Sequence, residues 1–171
     1  MGLFDMFKAD TGATMTPHLG FSALMFAIMA SDGEIDPEEV GQLLSVIGGK
    51  DNGSGTIVVG QQAQQLLDAA QKLVKTVGVD GILSQLAQMP TPLTDAQKMC
   101  ILVNMLDSSL SDGQPEQQEQ AIFAKTMAAF GITEARFRPF FEVLVLKGDR
   151  SVFINQAHPK NAPGYQVKLP V

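Results

Sequence analysis

One short acidic sequence occurs twice in this chain and limits what the chain can fold into. Asp32-Gly33-Glu34-Ile35-Asp36-Pro37-Glu38-Glu39 has a counterpart eighty positions on, Asp112-Gly113-Gln114-Pro115-Glu116-Gln117-Gln118-Glu119. In each, an Asp-Gly pair is followed by an acidic residue four positions after the Asp and a Glu seven positions after it. Each trails an apolar segment and leads into another, so the pattern predicts one helix-turn-helix unit used twice.

The apolar residues recur at helical spacing, and the punctuation between them is clear. Thr16 as N-cap and Pro17 at the first helical position open a first helix that runs to about Ala30. Asp36, Pro37 and Glu39 open a second as N-cap, first-turn proline and capping-box acid; Val40, Leu43, Leu44 and Ile47 share its apolar face before Gly48-Gly49 stops it. The turn-rich Lys50 to Gly60 stretch reads as an exposed loop. Leu66, Ala70, Leu73, Val74 and Val77 mark a third helix ended by Gly78, and Ile82, Leu83, Leu86 and Met89 a short fourth. Thr94 and Gln97 form a capping box for a fifth, whose buried stripe is expected at Met99, Leu102, Val103, Leu106 and Leu110.

A sixth helix starts near Pro115 and buries Ile122, Phe123, Met127 and Phe130 before Gly131. A seventh, capped by Thr133, carries the stripe Phe137, Phe140, Phe141, Leu144 and Val145 up to Gly148. Pro139 falls inside it, so this helix is either kinked there or starts after Thr133. Beyond Ser151 the period fades into an extended tail that Val152, Phe153, Ile154, Tyr165, Val167 and Leu169 are placed to dock. The expected fold is all-α, a bundle of about seven helices with the first two repeated as the fifth and sixth. It divides into an N-terminal segment (1–14), a helical domain (15–148) and a C-terminal tail (149–171).

Composition narrows the function. With 171 residues and 45% apolar content the chain can bury a sizeable core. A formal charge of −6 and a pI near 4.8 disfavour nucleic acid, which needs clustered Lys and Arg. Cys100 alone cannot form an internal disulfide, and with only His18 and His158 no Cys/His zinc site can be assembled. A reducing, cytoplasmic location is expected. Cys100 is expected on the apolar side of the fifth helix as a small core residue.

Residues 11 to 31 carry no charge, but the dense apolar run extends only from Leu19 to Ala30. A spanning helix needs about 20 such residues, so no transmembrane span is expected and this helix belongs inside a bundle. The Leu3, Phe4, Met6 and Phe7 side chains near the start are read as docking on their own domain, with a membrane surface or partner as the other reading.

Two chemical readings of the acidic turns stay open. Asp32 to Glu39 matches the second half of a calcium-binding EF-hand loop. In the first half, the ligand positions fall on Ile28 and Ala30, and in the second copy on Ser108 and Leu110. Neither loop alone supplies the six to eight oxygens calcium takes. Were the two units packed about an approximate two-fold axis, Asp32, Asp36, Glu39, Asp112, Glu116 and Glu119 would converge on one cation. In the other reading the acids are caps, favoured by the helix dipole, which accounts for Asp36 and Glu39 but not for Asp32 or for the repetition at Asp112.

The segments AIMASDGEIDPEEVGQLLSVIG and VNMLDSSLSDGQPEQQEQAIFAKTMAAFGI, with the Met-Gly-Leu-Phe-Asp opening, resemble the tellurite-resistance TerB-like family over roughly residues 15 to 146. The resemblance implies a seven-helix fold with an internal repeat, an acidic surface that binds a divalent metal, and a role in tellurite resistance and stress responses. It also implies protein partners, in complexes near the membrane. The acidic positions it carries over are Asp32, Glu34 and Glu39 in the first copy and Asp112 and Glu119 in the second, where Gln114 replaces Glu34 and Pro115 replaces Ile35. No catalytic signature accompanies them, and the Glu-x-x-His pairs of helical di-metal enzymes do not occur. A non-enzymatic protein that binds a cation or a partner through its acidic turns is therefore expected; the alternative is a helical scaffold whose acidic turns only cap helices.

Overall fold

Thr16 starts the first helix as its sequence predicts. Its Oγ1 accepts the Leu19 N–H at 3.1 Å, and Pro17 fills the first helical position, where no intrahelical partner for an N–H exists. The structure is a computed structural model that describes residues 14–31, 33, 40–41, 43–45, 61–110 and 115–167. Helix α1 spans Pro17–Met29, and every residue from Leu19 to Met29 is buried. A helix apolar all round can only be stable inside a core, and the one hydroxyl in it, Ser22 Oγ, is satisfied by the His18 carbonyl at 2.9 Å.

Of the predicted second helix, Val40, Gly41, Leu43, Leu44 and Ser45 are helical and Leu43 is buried. Its Asp36 cap, Ile47, the Gly48-Gly49 stop and the Lys50 to Gly60 loop lie outside the described residues, as does the N-terminal segment before residue 14.

Helix α2 spans Gln61–Ala87 and packs against α1. It contains both the third and the fourth predicted helices, joined at Gly78, whose φ of 65° and ψ of −176° are not helical. That backbone region is essentially open to glycine alone, which is why the sequence break falls there. Ile82, Leu83, Leu86 and Met89 are all buried. Before the joint, Leu66 and Ala70 are buried, Leu73 and Val74 are half-buried, and Val77, expected in the stripe, is exposed. The stripe loses its cover as it approaches the break. Gly20 of α1 sits so near Leu86 that an added Cβ would overlap the end of that side chain, so a larger residue there would require Leu86 to move.

Helix α3 spans Asp95–Ser109. Its predicted capping box is present, with Thr94 N–H donating to Gln97 Oε1 at 2.8 Å and Gln97 N–H to Thr94 Oγ1 at 3.2 Å. The buried face is Ile101, Leu102, Met105, Leu106 and Ser109. Leu102 and Leu106 match the expected stripe, whereas Met99, Val103 and Leu110 are only half-buried. Cys100 is exposed rather than in the core: the buried arc is turned by one residue, and Cys100 falls just outside it.

Helix α4 spans Gln117–Ala129 and α5 spans Glu134–Gly148. They are separated by Gly131, whose φ is 68°. Gly131 N–H donates to the Ala128 carbonyl at 3.0 Å and Ile132 N–H to the Met127 carbonyl at 3.1 Å, the paired closure that a left-handed glycine permits at a helix end. Phe130 and Ile132 are buried there, while Ile122, Phe123 and Met127 are half-buried. Thr133 Oγ1 accepts the Arg136 N–H at 3.3 Å, so α5 starts at the predicted cap and carries Pro139 inside it. The missing proline N–H leaves the Ala135 carbonyl without its helical donor. Phe137 is the buried residue of α5, with ring centroids 5.3 Å from Phe123 and 5.9 Å from Phe140. Phe141, expected in the stripe, is 44% exposed.

The region beyond α5 is not extended as expected. It forms a helical turn, α6 (Ser151–Ile154), and a 3₁₀ turn (Pro159–Asn161). Val152 is half-buried, but Phe153, Ile154, Tyr165 and Val167 are exposed, and Leu169 lies outside the described residues. Polar side chains, not apolar docking, hold this region, because the spacing of its turns leaves the large side chains pointing outward.

The chain is all-α and no strand occurs among the described residues. It divides into two compact units, residues 1–101 and 102–171, with α1 and α2 in the first, α4, α5 and the terminal turns in the second, and the boundary inside α3. No helix among the described residues is long and apolar enough to cross a membrane.

Candidate functional site

The second acidic turn enters the described residues at Pro115. Helix α4 begins at Gln117, two residues later than the proline suggests, and Glu116 is its N-cap with extended backbone. Glu119, at the third helical position, turns back so that its Oε2 accepts the Glu116 N–H at 2.7 Å. This is a capping box with a carboxylate at N3, and its negative charge also lies in the first turn, where the helix dipole favours it. Gln120 reinforces the turn by donating its Nε2 hydrogen to the Pro115 carbonyl at 2.7 Å. The capping box expected at Asp36 and Glu39 lies outside the described residues; in the second turn one stands at Glu116 and Glu119.

The remaining proposed ligands, Asp32, Glu34, Asp36, Glu39 and Asp112, lie outside the described residues. Gly33 is described and has a φ of 95°, a left-handed turn that suits the Asp-Gly pair. Its N–H closes the turn onto the Ala30 carbonyl at 3.1 Å. Among the described residues, no three His, Cys, Asp or Glu side chains are grouped closely enough to hold a metal ion. Chemically, Glu119 has one carboxylate oxygen engaged by the cap and a second oxygen that could face a cation without breaking it.

The densest polar cluster among the described residues is one that periodicity could not find. Asp149, the C-cap of α5, accepts through Oδ1 from the Ser151 N–H at 3.2 Å and from the Ser151 hydroxyl. Its Oδ2 accepts from Lys160 Nζ at 2.8 Å and lies 3.5 Å from His158 Nε2. His158 Nδ1 in turn accepts the Lys160 N–H at 3.1 Å and caps the 3₁₀ turn, which places the ring hydrogen on Nε2, toward Asp149. Hydrogen bonds from Lys160 first, and then from Ser151, pull the Asp149 pKa down from 3.8 to about 2.

This cluster contains Ser, His and Asp but is not a nucleophile relay. Both the serine hydroxyl and the histidine face the same carboxylate, and no base faces the serine. It is a clamp that ties α6 to the 3₁₀ turn. Asn161 completes it, donating from Nδ2 to the carbonyls of Val152 and Asn155 at 2.7 and 3.1 Å. The signals in the sequence were local ones, the Asp-x-Ser spacing of an Asx turn and a His before Pro159.

A family model described as tellurite resistance protein TerB matches residues 18–140. No curated protein and no solved structure matches the chain.

Proposed function

This chain belongs to the TerB family of tellurite resistance proteins, and from that membership we propose that it is a non-enzymatic stress protein that takes up a divalent cation through its two acidic turns. Asp32, Glu34, Asp36 and Glu39 supply one half-site and Asp112, Glu116 and Glu119 the other. The observation that carries this reading is the repeated spacing itself: Asp32 and Asp112 recur at the same distance from a helix-starting Glu, and capping leaves both without a role. Carboxylates are the ligands that hard divalent ions take, and two incomplete loops together approach the number of oxygens one ion needs. A cytoplasmic location fits the single cysteine, and a charged cation site would also give the acidic face its selectivity for a protein partner, at a membrane surface or elsewhere.

The test is thermal denaturation with Ca²⁺, Mg²⁺, Mn²⁺ or Zn²⁺ added singly. At least one ion raises Tm, and Asp32→Ala combined with Asp112→Ala removes the shift. No shift with any of the four sinks the cation reading.

A second reading rests on Glu119, whose bond to the Glu116 N–H shows that an acid of this motif can act as a cap. In that reading the turns only start helices, the protein is a scaffold, and Asp32→Ala leaves both stability and cellular resistance unchanged.

A further inference from the structure

Both ring nitrogens of His158 are engaged, and the two engagements make different demands on its protons. Nδ1 accepts the Lys160 N–H at 3.1 Å and so caps the 3₁₀ turn Pro159–Asn161. Nε2 faces Asp149 Oδ2 at 3.5 Å. An imidazole accepts a hydrogen bond only while it is neutral, since both of its nitrogens are donors in the cation. The usual caps, Ser, Thr, Asn and Asp, keep their acceptor oxygen near neutral pH, whereas histidine ordinarily changes charge between about pH 5 and about pH 8. This cap is therefore one that a proton removes.

The surroundings decide which way protonation moves the turn. The charged groups that meet the ring are the Asp149 carboxylate, from the end of α5, and the Lys160 ammonium, from the capped turn itself. Attraction to Asp149 favours a charged ring, but that carboxylate is already engaged. Its Oδ2 takes Lys160 Nζ at 2.8 Å, and its Oδ1 takes the Ser151 N–H at 3.2 Å and the Ser151 hydroxyl. At 3.5 Å the Nε2 contact is longer than an ordinary hydrogen bond, and a charge added there is repelled by the ammonium on the same oxygen. The loss at Nδ1 is complete, because the Lys160 N–H then meets a second donor in place of its acceptor. With its side chain 17% exposed, the ring is mostly shielded from the water that would otherwise screen this conflict.

We propose that His158 is a proton-operated release for this region: neutral, it caps the 3₁₀ turn, and protonated, it lets the turn open. The opening reaches α6 through Asn161, the last residue of the turn, whose Nδ2 donates to the Val152 and Asn155 carbonyls at 2.7 and 3.1 Å. Asp149 stays ionised throughout, because its pKa is lowered to about 2. Its bond to the Ser151 N–H therefore holds the start of α6 while the far end is freed. The device involves neither acidic turn.

Nuclear magnetic resonance on the full, isotope-labelled chain tests it. Near pH 7.5 the nitrogen shifts of the neutral ring place its proton on Nε2; from there to about pH 5 the protection of the Lys160 amide, corrected for its intrinsic exchange rate, falls about fivefold, the factor one neutral hydrogen bond ordinarily supports. The fall follows the titration of the His158 ring, the Asn161 side-chain amide signals move with it, and the Ser151 amide keeps its protection. His158→Asn supplies a cap that does not titrate, so the Lys160 amide stays protected over the whole range, whereas His158→Ala leaves it weakly protected throughout. His18 is present in parent and variants alike and cannot produce these differences. Lys160 protection that stays flat across the ring titration overturns the proposal. So does protection that rises on acidification, which would mean that attraction to Asp149 wins. A fall that persists in His158→Asn, or a neutral ring that carries its proton on Nδ1, overturns it too.

Discussion

Lys147 Nζ lies 2.7 Å from Oδ1 and 2.6 Å from Oδ2 of Asp107, an ion pair that joins α5 to α3 across forty positions of sequence. Both side chains keep water access, at 63% and 37% exposure, so solvent screens much of their attraction. Lys147→Ala is expected to cost about 0.5 kcal/mol in urea denaturation at low salt, and most of that difference disappears near 1 M NaCl.

Two glycines should respond to alanine with opposite signs. Gly78 occupies a backbone region that side chains other than hydrogen rarely enter, so Gly78→Ala costs about 1–3 kcal/mol. Gly41 is helical, exposed and has open space around a Cβ, so Gly41→Ala stabilises by about 0.5–1 kcal/mol. Denaturation midpoints of the two variants, measured side by side, check both.

Glu119 separates a cap from a ligand. Glutamine keeps the oxygen that accepts the Glu116 N–H but removes the charge, whereas alanine removes both. Glu119→Ala should cost about 1 kcal/mol and Glu119→Gln much less. If the residue also binds a cation, Glu119→Gln retains the stability of the parent chain but loses part of the metal-induced rise in Tm.

The Asp149 clamp sets a pH window. Because its pKa is lowered to about 2 in the folded chain, its contribution is complete above the ordinary carboxylate value of 3.8 and fades as pH falls through about 2. Amide exchange at Ser151, whose N–H donates to Asp149, should therefore accelerate, relative to other protected amides, as Asp149 protonates. Asp149→Asn should loosen the Ser151 amide wherever Asp149 is ionised in the parent chain, and abolish that acid transition.

What the sequence disclosed depended on how local the cause was. Thr16 with Leu19, Thr94 with Gln97, and Gly131 at the end of α4 are short-range chemistry, and each stands where spacing put it. The sequence of α3 leaves its buried face ambiguous because Met99-Cys100-Ile101-Leu102-Val103 is apolar without interruption, so period alone cannot choose which arc meets the core. The choice of Ile101 and Met105, with Cys100 left outside, is made by tertiary packing. The Asp149, His158, Lys160 and Asn161 clamp has no hydrophobic period, and its sequence looks like extended tail for that reason. Of the acidic site, Glu116 and Glu119 can be placed, and there the motif proves to include a cap.

The joint at Gly78 gives the two halves of α2 separate buried faces. In an unbroken helix the phase of every residue follows from the first at about 100° per residue. Here one set of non-helical dihedrals resets that phase, so the stripe of Leu66 and Ala70 and that of Ile82, Leu83 and Leu86 need not lie on one line. The approach of Leu86 to Gly20 is thus aimed by the dihedrals of one glycine as well as by the helix that leads to it.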